Sequence, residues 1–351
     1  MAEMPQDSEL NITLPSHCNA QPERRVLCTL TDDELALFFP RGVKLDGVEL
    51  RQFNTDDGPE VFHQTMLEFE PELLIACWNT PPLQESWRKD FSFLRYVCYA
   101  SGSVRNLIPR SYLELGLVVT NWGTLVAANV AEHALLLVLA GLRRATEWPS
   151  VIAGEREWQP SPIVTRTLFG KRVGLHGMGN VAQNLIRLMQ PFGVSVLAYS
   201  EGAPSDLFLE HSAAQCDSLE NLFANSDIIV ECEALNERTQ GTVTRQILEC
   251  LPDGALFVNV GRGAVVDEQA LAALASAGRI DVALDVFAED PIEPDSPLHE
   301  VEDAVLSPHI AGPTSDQFAR CGDQALRNMA AYFKGTPLEA VVTLDIYDRA
   351  T

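Results

Sequence analysis

From Arg25 onward the chain alternates short apolar runs with longer amphipathic stretches. In the first part the runs are VLCTL at 26–30, LLIACW at 73–78, LRYVCY at 94–99 and LVVT at 117–120, with VEL at 48–50 as a weaker candidate. Runs that are apolar throughout, separated by helical spacers, are how strands buried on both faces read. They predict a three-layer α/β domain with a parallel sheet. Next comes VAANVAEHALLLVLAGLRR at 126–144, apolar on nearly every face from 134 to 142. A helix of that kind is expected to be buried on all sides, at a domain junction or a subunit interface. From Lys171 a second α/β series begins. Its candidate strands are RVGLH (172–176), VSVLAY (194–199), DIIVE (227–231), ALFVNV (255–260), DVALDVF (281–287) and AVL (304–306). Six such strands make a full dinucleotide-binding sheet. The segment at 315–335 reads as one amphipathic helix that ends at Gly335.

Composition narrows the function. The 351 residues are ample for two domains, and 46% hydrophobic with 21% charged residues is an ordinary globular balance. The net charge of −24 opposes nucleic acid and anionic membrane surfaces as partners. The eight cysteines include no C-x-x-C pair, and several lie in strand-like runs. They read as reduced, buried thiols of a cytoplasmic protein, and their spacings predict no zinc or other metal site. The apolar run at 134–142 is too short to span a bilayer. Residues 1–22 are acidic, lack an apolar leader and read as a flexible polar tail.

The strongest local motif is Gly177-x-Gly179-x-x-Ala182, set between a strand and a helix with a second strand to follow. Gly177 permits the tight turn, Gly179 lets the backbone approach a pyrophosphate, and Ala182 allows close helix–strand packing. The position that reads the ribose follows some 20 residues later. Ser200 lies 23 residues after Gly177, and Glu201 comes next. One or the other is expected on the ribose hydroxyls. No Lys or Arg occurs from 188 to 237, so NAD (as NADH when reduced) is expected, and NADP is disfavoured for want of a cation.

Three further segments each end a predicted strand with a polar group. Arg262 follows ALFVNV, Glu289 and Asp290 follow DVALDVF, and His309 follows AVL. Strand ends converge on the ligand crevice of a doubly wound sheet. An imidazolium can protonate the oxygen of a carbonyl that receives hydride, and a carboxylate beside it favours the charged form. An arginine can hold a carboxylate through two bonds and polarise the carbonyl. The set suits reduction of a 2-oxo acid. The other histidines, at 17, 63, 133, 176, 211 and 299, lack such company and read as surface or packing residues. Trp78 and Trp122 are read equally well as pocket lining or as core.

With these motifs in view, the chain resembles the D-isomer-specific 2-hydroxyacid dehydrogenase family. The resemblance rests on the glycine motif, Val130-Ala131-Glu132, Asn259-Val-Gly-Arg262-Gly, Asp285-Val-Phe-x-x-Asp290-Pro and Pro308-His309-Ile-Ala-Gly312, in that family's order over about residues 95–315. It implies a Rossmann-type doubly wound NAD-binding domain at 126–315. This would be inserted in a smaller flavodoxin-like α/β substrate domain at 23–125 and 316–351. It implies a homodimer built around the 126–144 helix, and a small 2-oxo or 2-hydroxy acid as ligand. By this resemblance Arg262 binds and polarises the substrate, His309 is the acid/base, and Asp290 stands where the partner carboxylate belongs. Ser101, Gly102 and Ser103 would hold the substrate carboxylate through backbone amides. Cofactor contacts would come from Gly177, Met178, Gly179, Asn180 and Val181 at the glycine turn. Cys232, Val260 and Gly261 would add others at the next strand ends, with Asp285 and Gly312 flanking His309.

The chain departs from the family pattern in places. Asp290 stands where glutamate is usual, so Glu289 stays open as an alternative partner. Cys232 and Ala234 replace a His-x-Pro motif, and Leu125 replaces an asparagine. The expected activity is interconversion of a 2-oxo acid and the (R)-2-hydroxy acid. The alternative is an NAD(H)-sensing, corepressor-like binding protein with little activity.

Overall fold

The computed structural model describes residues 24–155, 158 and 163–349; the expected tail at 1–22 lies outside the described residues. The chain divides into two compact units, one running to Gly123 and resuming over Ser315–Arg349, the other spanning Thr124–Thr314.

Among its described residues the first unit has five parallel strands: β1 (Arg24–Cys28), β2 (Val48–Gln52), β3 (Leu73–Ala76), β4 (Tyr96–Tyr99) and β5 (Val118–Thr120). Their order is β2-β1-β3-β4-β5, the flavodoxin-like arrangement. β3 and β4 are buried along their whole length. The weak VEL run becomes β2, an edge strand whose other residues are polar and exposed, which explains its faint pattern. The helix Phe318–Lys334 packs here and stops at Gly335, whose φ of 66° suits a residue without Cβ.

Among its described residues the second unit has seven parallel strands where six were expected: β6 (Arg172–His176), β7 (Ser195–Tyr199), β8 (Ala214–Gln215), β9 (Ile228–Glu231), β10 (Ala255–Asn259), β11 (Ile280–Leu284) and β12 (Val305–Leu306). The unexpected β8 is two exposed residues on the sheet edge, too short for a periodic pattern. The predicted strand at 281–287 ends at Leu284, because Asp285 turns its carboxylate onto the following loop. The order β12-β11-β10-β9-β6-β7-β8 is that of a dinucleotide-binding sheet, with its topological switch between β6 and β9.

Alternation along the strands builds the layers. Ile228 and Val230 of β9, with Leu256 and Val258 of β10, pack under the helices Ala127–Leu142 and Asn180–Met189. Ile229 and Phe257 face the opposite layer, with Leu222, Leu248 and Leu271. Each such side chain, fully buried, contributes about 1.5–3 kcal/mol, so the two layers hold the strand ends rigidly. In the single chain the helix Ala127–Leu142 buries seven of its residues and leaves Leu136 56% exposed.

Candidate active site

The glycine turn joins β6 to the helix Asn180–Met189 at the switch between β6 and β9. Gly177 has φ 99°, and a Cβ there would stand 2.9 Å from the backbone of Cys232 and Glu233. Both facts demand glycine. Gly179 begins the helix with no side chain capping it, and the space where its Cβ would stand is open for 4 Å. An uncapped helix N-terminus beside open backbone suits an anionic diphosphate, so the residues present fit a dinucleotide. Ala182 is fully buried against the sheet. Met178 and Val260 also bury their side chains, so any contact they offer a ligand is through the backbone. Asn180 is exposed and Val181 half-buried on the first helical turn.

The ends of β9 and β10 crowd the same turn. Gly261 lies against the backbone of Cys232 and Glu233, where a Cβ would be 3.0 Å from the Glu233 carbonyl oxygen. The Cys232 thiol donates to the His176 carbonyl at 3.2 Å, and burial pushes its pKa well above the ordinary thiol value. Beneath it lies a buried pair: His176 Nδ1 is 2.5 Å from Glu231 Oε2. Burial opposes charge on His176. The charge and hydrogen bond of Glu231, with Glu233 further off, nevertheless carry its pKa above 6.5. Glu231 Oε1 accepts from the Glu233 amide, and the Glu233 carboxylate accepts from Ser200 Oγ at 2.9 Å. Glu201 is exposed and has no partner among the described residues.

Three neighbouring strand ends carry the candidate groups Arg262, Asp290 and His309. Arg262 follows β10, and its loop is held by Asn259, whose side chain accepts from the Gly261 amide and donates to the Arg262 carbonyl. Burial lowers the Arg262 pKa from 12.5, and the charge of Asp290 acts in the opposite sense. After β11, Asp290 Oδ2 lies 2.9 Å from His309 Nδ1. The aspartate therefore spans the gap despite being one methylene shorter than glutamate, and Glu289 is exposed and turned to no partner among the described residues. Gly263 is another position that tolerates no side chain, because a Cβ would overlap the Phe287 carbonyl. That contact locks the Arg262 loop to the loop carrying Asp290.

His309 has φ 52°, in the left-handed region that a histidine enters only when its surroundings hold it there. The restraint comes from Asp285, which is fully buried. Its carboxylate accepts from Ser307 Oγ (2.6 Å), the Ile310 amide (2.9 Å) and the Ala311 amide (2.8 Å), while its carbonyl accepts from the His309 amide. His133 Nε2, from the helix Ala127–Leu142, reaches Ser307 Oγ at 2.9 Å and Asp285 at 3.4 Å. Burial would raise the Asp285 pKa, but bonds from His133, Ser307, Ile310 and Ala311 hold it below the usual carboxylate value. Gly312 closes this loop with open space around it.

In the first unit, Ser101, Gly102 and Ser103 follow β4. Two residues after β5 brace them: Asn121 Nδ2 donates to the Gly102 carbonyl, and the Trp122 amide donates to that of Ser101. The Trp122 indole lies against Gly102, where a Cβ would be 2.8 Å from Nε1. Trp78 packs instead with Phe38 and Phe318 and is 49% exposed.

The second unit thus gathers His309 with Asp290 and sets Arg262 on the adjoining strand end, and it gathers Gly177, Cys232 and Gly261 around one turn. The contacts of His133, His176, Glu231, Glu233 and Asn259 were not foreseen; His133 and His176, expected as surface or packing residues, are largely buried. His133 directly follows the Val130-Ala131-Glu132 motif, and Asn259 opens the Arg262 motif. The other three signal nothing locally, since their partners lie on strands distant in sequence.

Residues 135–311 match the family model for the NAD-binding domain of D-isomer-specific 2-hydroxyacid dehydrogenases. The chain is 30% identical to a glyoxylate reductase of Aeropyrum pernix over 249 residues, covering 69% of this chain and 74% of that protein. It is 32% identical to glyoxylate/hydroxypyruvate reductase A of Arabidopsis thaliana over 226 residues, 64% and 71% of the two chains. The crystal structure of a glyoxylate reductase from Paecilomyes thermophila superposes with a TM-score of 0.77 at 23% identity, covering 92% of this chain and 99% of that one.

Proposed function

The chain belongs to the D-isomer-specific 2-hydroxyacid dehydrogenase family, and from that premise we propose that it reduces a small 2-oxo acid to the (R)-2-hydroxy acid with NADH, and catalyses the reverse. The observation that carries this reading is the His309–Asp290 pair at 2.9 Å, held in a left-handed turn by a buried Asp285. A sensing protein needs the cofactor turn alone, and an acid/base pair of this kind favours the enzyme.

Gly177, Gly179 and the first turn of the helix Asn180–Met189 would hold the diphosphate of the cofactor. When bound, its nicotinamide supplies the hydride that forms the new C–H bond at the carbonyl carbon. The chain's own residues do the rest. As the C=O π pair moves onto oxygen, His309 donates a proton to it. With Nδ1 engaged by Asp290, Nε2 is the nitrogen left for that oxygen. Asp290 orients the ring and balances the imidazolium charge. Arg262 holds the substrate and draws charge toward the carbonyl oxygen. In the reverse direction His309 accepts the hydroxyl proton.

The cofactor assignment to NAD rather than NADP rests on the absence of Lys and Arg from 188 to 237. A homodimer is supported by exposed Leu136, Trp148, Ile152, Val164 and Phe169 along one stretch of chain. Among the described residues no helix is long and apolar enough to cross a membrane.

The test is cofactor oxidation followed by absorbance, with NADH and NADPH in parallel and 2-oxo acids graded in size. Turnover with NADH is expected. His309→Gln should lower kcat by roughly 10²–10⁴ while leaving NADH affinity near that of the parent. Binding of NADH without turnover of any acid would hand the case to the sensing protein.

A further inference from the structure

Dinucleotide-binding sheets usually read the ribose through an acid at the end of their second strand. In this chain the residue just past β7 is instead Ser200, with Glu201 beyond it. We propose that the ribose-reading carboxylate is Glu233, which reaches from the end of β9 to Ser200 and selects NAD(H) over NADP(H). This rests on the dinucleotide reading of the second unit and names a selecting residue within it.

The placement is the first support. Glu233 sits at the topological switch, where the backbone of Cys232 and Glu233 comes within 2.9 Å of a Cβ built on Gly177. It therefore adjoins the glycine turn without belonging to it. The second support is rigidity. Its amide donates to Glu231 Oε1 at 2.8 Å, and its Oε1 accepts from the Ala234 amide at 3.0 Å. Its Oε2 accepts from Ser200 Oγ at 2.9 Å. Glu231 is itself fixed by the buried His176. A carboxylate held from both sides is set to accept from a hydroxyl before the ligand arrives, whereas exposed Glu201 has no such restraint.

Charge decides the selection. With its proton committed to Glu233, the Ser200 hydroxyl keeps lone pairs that can accept from a ribose hydroxyl. A 2′-phosphate would instead set negative charge against Glu233. No Lys or Arg between 188 and 237 is there to offset it. Selection against the phosphorylated cofactor is thus built from a repulsive group, supplied by a strand other than the one that usually carries it.

The experiment is titration of the full-length protein with NADH and NADPH, read by nucleotide fluorescence, alongside kcat/KM with each. The wild type should bind NADH more tightly. Glu233→Gln should shrink the preference by about tenfold, the equivalent of roughly 1.4 kcal/mol, mainly through better NADPH binding. Ser200→Ala, which breaks the same contact by a milder change, should move the ratio the same way by a smaller factor. The proposal is overturned if Glu233→Gln folds and leaves the ratio untouched, or if Glu201→Gln alone erases the preference. A wild type that binds neither nucleotide would instead remove the dinucleotide reading on which the proposal stands. Equal binding of both would leave that reading intact and remove the selection.

Discussion

At the residue scale, the buried carboxylate of Asp285 holds the loop that carries His309. Asp285 has four donors about it, and only that number makes its burial tolerable. Asp285→Ala would leave the Ile310 and Ala311 amides without acceptors, at about 1–3 kcal/mol for each. The variant should unfold at lower denaturant and lose turnover together, because the loop holding His309 at φ 52° relaxes. Full stability in denaturant melts would show that water replaces the carboxylate. The His176–Glu231 pair gives a pH signature. The folded pKa of His176 is raised above its ordinary 6.5. Its stabilising contribution is therefore complete below that value and fades as pH rises through the raised one. Melting temperatures of wild type and Glu231→Gln should differ most in mild acid and converge toward alkaline pH. A gap that stays constant with pH would mean that the pair does not titrate.

At the element scale, the glycines of the strand–turn–helix junctions differ in how they take added bulk. Gly177 and Gly263 are hemmed in by backbone, so a methyl group there costs folding. Gly179 is not: its φ needs no glycine and the space is open. Gly179→Ala should therefore melt like the parent yet bind NADH more weakly, since the methyl group occupies the approach to the helix N-terminus. Calorimetry of both properties in one preparation checks this, and unchanged affinity would move the diphosphate elsewhere. The glycine motif was legible because its function lies in local backbone freedom. The two-residue β8 was not, because an exposed edge pair leaves no period to read. The end of β11 was misjudged by three residues, since the apolar run continues through Val286 and Phe287 although the ladder stops at Leu284.

At the scale of the whole molecule, the exposed apolar side chains argue for a second copy. Leu136 at 56%, Trp148 at 50% and Ile152 at 71% are large groups left in water by one chain. Sedimentation should find a dimer, and Leu136→Glu should give a monomer with a native far-UV spectrum. A parent that sediments as a monomer would retire the dimer. The 126–144 helix was expected to be buried at a domain junction or a subunit interface, and in the single chain Leu136 of that helix is uncovered.

The amino-acid sequence alone determined the two α/β series, the glycine turn and the candidates Arg262, Asp290 and His309. Each is written in a local pattern, either a period of apolar residues or a polar group just past a strand. The tertiary structure decided what those groups touch. It paired His309 with Asp290 rather than Glu289, brought His133 to Ser307 across 174 residues, and set Glu233 against Ser200. Such partners are chosen by strand order and register, and the parallel order β9-β6-β7 brings together residues that no pattern along the chain relates.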